Sequence, residues 1–224
     1  MPNNYSALPR MPCSGVRISW LMVARNSLLA RLASSAERPA AADDCQILCL
    51  PGGFSYGDDI ASGRILALEL RTKLGDMLRR FRDRGGLILG ICNGFQVLLQ
   101  TGLLLADDTG ERQATLAHNT SGRFVDRWVR LRNAGGPCLF LEGLADFELP
   151  IAHAEGRFLT RSAADLAALE AVGQLPLRYV GGSPNGSQAD VAGACDASGR
   201  VFGLMPHPER FITATQHPAW HGRL

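Results

Sequence analysis

Between residues 45 and 105 the apolar positions alternate between unbroken runs and helical stripes. Gln46-Ile-Leu-Cys-Leu50 is a short continuous run stopped by Pro51-Gly52-Gly53, the pattern of a strand buried on both faces of a parallel sheet. From Gly63 to Arg84 the period changes. Leu66, Leu70, Leu74, Leu78 and Phe81 fall on one helical stripe, Glu69 and Lys73 make a favourable i,i+4 pair, and Gly85-Gly86 closes the end. Leu87-Ile-Leu-Gly-Ile91 predicts a second buried strand, and another helix begins near Asn93, runs to Gln100 and stops at Gly102. Strand and helix in strict alternation predict an α/β chain.

Beyond Asp107 the texture differs. Phe124 to Arg132 alternates as a half-buried strand does, and Leu149 to Phe158 reads as another. Ala163 to Val172 is a short amphipathic helix, while Pro176–Val180, Val191–Cys195 and Val201–Met205 are short strands. Gly181 to Ser187 is a loop by composition. No repeat and no linker interrupts the chain, so residues 1–224 are expected to form a single domain, with 1–15 disordered. Ahead of this region, Val16 to Val23 predicts a strand and Ser27 to Ser35 a short helix. Residues 1–36 also hold no Asp or Glu and carry Arg10, Arg17, Arg25 and Arg31, the balance of an organellar leader. The strand-and-helix reading is preferred, and the apolar run Ile18 to Ala24 is too short for a secretory signal.

Composition narrows the classes of function. At 46% hydrophobic and 20% charged over 224 residues, the chain buries a sizeable core and is not a disordered segment. A formal net charge of +2 gives no footprint for nucleic acid or a membrane surface. No apolar stretch approaches the roughly 20 residues of a membrane span. Six cysteines are too sparse for a disulfide scaffold and suit a reducing, cytoplasmic compartment. Cys45 and Cys49 lack a second pair to complete a zinc site, so no metal is expected. Cys45, Cys49, Cys138 and Cys195 read as small buried hydrophobes.

Cys92 is different. In Gly90-Ile-Cys92-Asn-Gly94-Phe-Gln96 a buried strand passes directly into a helix, which lifts Cys92 onto a tight turn above the sheet edge. A side chain at Gly90 or Gly94 would crowd that turn and the helix packing. The helix N-terminus favours the thiolate, and the Asn93 N–H faces a developing oxyanion. The alternative is a structural cysteine on a glycine-rich turn. A nucleophilic thiol needs a base and the base an orienter. His153-Ala-Glu155 and His207-Pro-Glu209 both offer the pair. The second is the stiffer: Met205 and His207 each precede a proline and are driven to extended backbone, where residues i and i+2 point the same way. His118, His217 and His221 are read as ordinary surface or loop residues. Pro51-Gly52-Gly53 ends the upstream strand, so its turn faces the same crevice, with the Gly53 N–H as a second oxyanion donor.

Leu50-Pro-Gly-Gly53, Gly90-x-Cys92-x-Gly94-x-Gln96 and His207-x-Glu209 together resemble the class I (triad) glutamine amidotransferases. Longer stretches narrow the resemblance: Pro51 to Asp58, Gly90 to Gln96, Ile151 to Arg157, Pro184 to Ser187 and Gly203 to Arg210 are similar to members that serve purine biosynthesis. The resemblance implies an open, mixed, mostly parallel sheet with flanking helices, a flavodoxin-like arrangement. It makes Cys92 the nucleophile, His207 the acid/base and Glu209 its orienter. Gly53 and Asn93 become oxyanion donors, and Gln96 helps to hold glutamine. Ammonia freed from glutamine would pass to a separate ATP-dependent synthetase subunit, with a small bridging subunit besides, converting formylglycinamide ribonucleotide to its amidine. No cofactor is implied, and the chain carries no Gly-x-x-x-x-Gly-Lys-Ser/Thr loop. Two alternatives stand beside this: a class I amidotransferase or γ-glutamyl hydrolase with another acceptor, and a non-catalytic binding subunit. The family's opening strand, turn and helix are shortened or missing here. Either the true start lies upstream, or Val16–Val23 fills the central place in the sheet, or the protein is impaired.

Overall fold

The computed structural model describes residues 18–20, 45–53 and 64–222. The helix expected over Ser27–Ser35, the segment 1–15 and the motif residues 54–58 lie outside these. Ten strands are described: β1 (Ile18–Trp20), β2 (Ile47–Leu50), β3 (Leu87–Ile91), β4 (Ala114–Ala117), β5 (Val125–Asn133), β6 (Phe147–His153), β7 (Arg157–Thr160), β8 (Leu177–Tyr179), β9 (Val191–Cys195) and β10 (Val201–Leu204). The helices are α1 (Arg64–Asp83), α2 (Asn93–Thr101) and α3 (Ala163–Ala171).

Eight strands form one sheet in the order β1-β2-β3-β10-β9-β8-β5-β6. β1, β2, β3 and β10 run parallel, and the remaining neighbours are antiparallel. The sheet is thus mixed as expected, but not mostly parallel: among the described strands three of its pairings are parallel and four antiparallel, because the chain beyond residue 125 returns by direct reversals rather than helical crossovers. Its parallel half carries the Cys92 turn, and its antiparallel half is built from returns between residues 125 and 204. β1 pairs with β2, Ile18 opposite Ile47. It is the outermost described strand rather than a central one, because β2 is already paired on its other side to β3, and β3 to β10.

α1 presents Leu70, Leu74, Leu78 and Phe81, all buried, to Leu48, Leu50 and Ile88 of the sheet. Each such side chain contributes roughly 1.5–3 kcal/mol of transfer free energy. α2 is buried on nearly every side and ends at Gly102 with φ 74°, a left-handed cap. Leu131, Leu141, Ile151, Leu177, Tyr179 and Phe202 form a second apolar cluster. Cys45, Cys49, Cys138 and Cys195 are all buried, and burial, with Cys45 nearby, pushes the Cys49 thiol up to about 12.

The expected strand Leu149–Phe158 is two strands in different sheets. β6 ends at His153, and after the turn at Glu155-Gly156 the chain re-emerges as β7, paired antiparallel with β4 in a two-stranded sheet. Pro150 sits opposite Trp128 in β6, the sheet's edge, where a missing N–H is tolerated. Among the described residues no helix is long and apolar enough to cross a membrane.

Candidate active site

Cys92 stands between β3 and α2, and its backbone is fixed from both sides. Its N–H donates to the Leu204 carbonyl of β10 (2.8 Å), and its carbonyl accepts from Phe95 (3.0 Å) and Gln96 (3.2 Å), opening the helix. The result is φ 51°, ψ −106°, a conformation that costs about 1–3 kcal/mol and persists only where surroundings impose it. The imposing contacts are glycines. A Cβ on Gly94 would penetrate the Leu50 carbonyl, and one on Gly90 would lie 2.7 Å from the Gly94 oxygen. The half-buried Cys92 packs against both apolar clusters, and its thiol approaches the Ala152 carbonyl at 3.9 Å.

Because β10 runs beside β3 with Leu204 opposite Ile91, the chain leaves β10 at the end of the sheet where the Cys92 turn begins. Met205 and Pro206 lead to His207, whose N–H donates to the Pro150 carbonyl (2.8 Å). The imidazole is buried, and its Nδ1 meets Glu209 Oε1 at 2.6 Å. The segment is not extended through Glu209, as the proline pattern suggested. Pro208–Arg210 is a single 3₁₀ turn, and this turn, not i,i+2 alternation, swings the carboxylate back to the ring. A carboxylate only accepts, so Nδ1 carries the hydrogen and Nε2 of the neutral ring is a bare lone pair. Among the described residues Nε2 has no partner.

The two groups converge at Gly52: a Cβ there would stand 3.1 Å from His207 Cε1 and 3.3 Å from Cys92 Cβ, so imidazole and thiol both abut the Pro51-Gly52-Gly53 turn. Gly53 takes φ 119°, a backbone region that favours glycine. Asn93 follows Cys92 in the first turn of α2, where helix N–H groups point outward past the cap.

Gln96 is engaged at both ends. Its Oε1 accepts from Asn93 Nδ2 (2.9 Å), and its Nε2 donates to the Glu155 carbonyl (2.7 Å). It thereby ties α2 to the turn between β6 and β7. That turn is anchored further by Asn185, donating to the Gly156 carbonyl (2.8 Å), and by Ser187, whose hydroxyl accepts from the Phe158 N–H (2.9 Å). The Ile151–Arg157 and Pro184–Ser187 motifs are thus one structure. Glu155 does not pair with His153: its carboxylate reaches the exposed His118 (3.1 Å), and His153 Nδ1 meets Asn119 Oδ1 (3.2 Å). Tyr179, in the apolar cluster against which Cys92 packs, is held protonated, raised first by burial and then by the negative charge of a Cys92 thiolate.

His217 is not an ordinary surface residue. It is buried, its Nε2 meets Glu148 Oε2 at 3.1 Å, and its ring lies 4.4 Å from that of Trp128. Trp128 also packs edge-on against Phe211 at 5.0 Å, so the aromatic group clamps the chain two residues after Glu209. No spacing in the sequence signals this, because Trp128 and His217 meet only through the fold. Asn119 was missed for the same reason. Among the described residues no group of three or more His, Cys, Asp or Glu side chains is placed to hold a metal ion.

Residues 21–223 match the CobB/CobQ-like glutamine amidotransferase domain. The chain is 44% identical over 207 residues to phosphoribosylformylglycinamidine synthase subunit PurQ of Dehalococcoides mccartyi, covering 89% of this chain and 78% of that one. It is 42% identical over 194 residues to the PurQ subunit of Methanococcus maripaludis, covering 79% and 70%. Among solved structures, PurLQS from Thermotoga maritima aligns with a TM-score of 0.62 at 35% identity, over 78% of this chain and 74% of that chain.

Proposed function

The chain belongs to the family of CobB/CobQ-like glutamine amidotransferase domains, with the PurQ subunits of phosphoribosylformylglycinamidine synthase as its relatives, and we propose that it is the glutaminase subunit of that enzyme. The observation that carries the chemistry is Cys92, on a strained strand-to-helix turn, converging at Gly52 with a buried His207 whose Nδ1 is fixed by Glu209.

His207 Nε2 takes the thiol proton, and the Cys92 sulfur attacks the side-chain amide carbon of glutamine. Negative charge gathers on the amide oxygen, where the Gly53 and Asn93 N–H groups receive it. The imidazolium, stabilised by Glu209, returns its proton to the amide nitrogen, the C–N bond breaks and ammonia leaves. Water, activated by the same imidazole, then hydrolyses the thioester, releasing glutamate and restoring the thiol. Gln96 contributes by bracing the wall of the pocket through Asn93 and Glu155. Ammonia passes to an ATP-dependent synthetase subunit, joined by a small bridging subunit, which forms formylglycinamidine ribonucleotide. The complex works in the cytoplasm.

Cys92→Ala is expected to abolish glutamine hydrolysis and glutamine-dependent synthesis while leaving the cooperative unfolding transition and ammonia-dependent synthesis by the complex intact. Glutamine hydrolysis at the parental rate would remove Cys92 from the mechanism.

A further inference from the structure

Beside His217, which is seated against Trp128 and Glu148, a second buried imidazole stands outside the triad. His153 is 4% exposed and closes the row Leu149, Ile151, His153 on one face of β6, since alternate strand residues share a face. Ile151 belongs to the apolar cluster against which Cys92 packs. The next carbonyl back along the strand, Ala152, is the one that the thiol approaches, and the Pro150 carbonyl holds the His207 N–H. The carboxyl end of β6 therefore abuts both nucleophile and base.

The tautomer of His153 follows from its neighbours. Asn119 Nδ2 donates to the carbonyls of Arg123 and His153, each at 2.9 Å, so the amide oxygen is fixed as the acceptor. That oxygen receives the Gly156 N–H (3.2 Å) and faces His153 Nδ1 at 3.2 Å. Nδ1 must therefore carry the hydrogen. Nε2 is left as a lone pair, buried and, among the described residues, without a donor. The ring is clamped in this pose: it lies directly on Gly156, where a Cβ would collide with Cε1, Nδ1 and Nε2. A buried acceptor without a donor is destabilising and needs a reason.

Glutaminase chemistry supplies one. In the tetrahedral adduct the leaving nitrogen receives one proton from His207 on its lone pair and keeps two N–H bonds of its own. Those bonds need acceptors within the site, where water does not reach the buried imidazole nitrogens. We propose that His153 is a second imidazole of the glutaminase site, accepting through Nε2 a hydrogen bond from the nitrogen that leaves glutamine. No proton moves to His153: the C–N bond breaks, the proton comes from His207, and ammonia departs neutral. Burial, with His207 as the second cause, lowers the His153 imidazole to about 4. The ring thus stays uncharged and cannot convert ammonia to ammonium, which would no longer be a nucleophile for the synthetase.

The inference rests on the glutaminase reading, and its test separates the two. In the assembled complex, hydrolysis of glutamine is compared with that of glutamic acid γ-methyl ester, whose leaving oxygen has no N–H to donate. His153→Phe is expected to lower kcat on glutamine roughly ten- to a hundredfold, with KM and ammonia-dependent synthesis unchanged and ester hydrolysis reduced less than threefold. His153→Gln, which restores an acceptor, recovers most of the amide rate. If the Phe variant lacks a cooperative unfolding transition, His153→Met is read in its place against His153→Gln. Equal losses on amide and ester, or no loss on the amide, overturn the role of His153. A parent complex that hydrolyses neither substrate overturns the glutaminase reading instead.

Discussion

Two imidazoles meet the carboxyl end of β6, and they differ in what holds Nδ1. In His207 it is the Glu209 carboxylate, which stabilises a charged ring and suits a group that must pick up and return a proton. In His153 it is the neutral Asn119 amide, which offers no such stabilisation, and the ring is held down to about 4. That shift has a consequence for stability. The folded state keeps His153 neutral, whereas in the unfolded chain it takes a proton below its ordinary value of 6.5. The unfolded state therefore binds more protons as pH falls from 6.5 to 4, and stability is lost across that window, by up to about 3 kcal/mol from this one group. His153→Gln removes the contribution while leaving His207, Glu155 and Arg157 in place. Urea unfolding at pH 7 and pH 4.5 should show a smaller loss for the variant than for the parent, by about 2 kcal/mol or more. Equal losses would mean that His153 titrates normally in the fold.

At the scale of elements, the Cys92 turn depends on how closely α2 approaches β2. Gly94 is where the two backbones meet, and a Cβ there would overlap the Leu50 carbonyl. Gly94→Ala must push the helix off the strand, moving Cys92 and Asn93 away from the Pro51–Gly53 turn. The expected loss is roughly 1–3 kcal/mol of stability, of the kind that overpacking causes, with kcat reduced more than tenfold because a displacement of about 1 Å suffices. Chemical denaturation and steady-state glutaminase assays would check both halves, and an active, fully stable variant would contradict the close approach. This part of the molecule was legible from the sequence. β3, α1 and α2 fall within a residue or two of their expected bounds, because an unbroken apolar run, a helical stripe and a glycine stop are local signals. The division of β6 from β7 was not legible, since the Gly156 turn is held by Asn119, Asn185 and Ser187 from distant segments. The pairing of His207 with Glu209 was anticipated for a partly wrong reason. The prolines were read as extending the chain, whereas Pro208 starts a 3₁₀ turn.

Over the whole molecule the site joins regions of unequal support. Cys92 sits where two apolar clusters meet, on a turn between a central strand and an almost wholly buried helix. Glu209 belongs to a short turn, followed by further 3₁₀ turns at Ala214–Gln216 and Trp220–Gly222. These are held to β5 and β6 chiefly by Phe211 and His217 against Trp128 and by the His217–Glu148 contact. Local unfolding starts where few apolar contacts and few long-range backbone bonds hold a segment, and the carboxyl-terminal turns meet that description better than the sheet does. Activity is therefore expected to disappear at lower urea than the sheet, as the 211–222 segment loosens and Glu209 leaves its imidazole. Trp128→Ala should widen the gap by removing the aromatic seat, lowering the midpoint for activity more than the midpoint of the far-ultraviolet transition, while Trp128→Phe restores most of it. The measurement is a urea titration followed in parallel by glutaminase rate and circular dichroism. Coincident midpoints in parent and Trp128→Ala alike would show that the carboxyl-terminal turns unfold only with the sheet, and that the orientation of His207 does not depend on their docking.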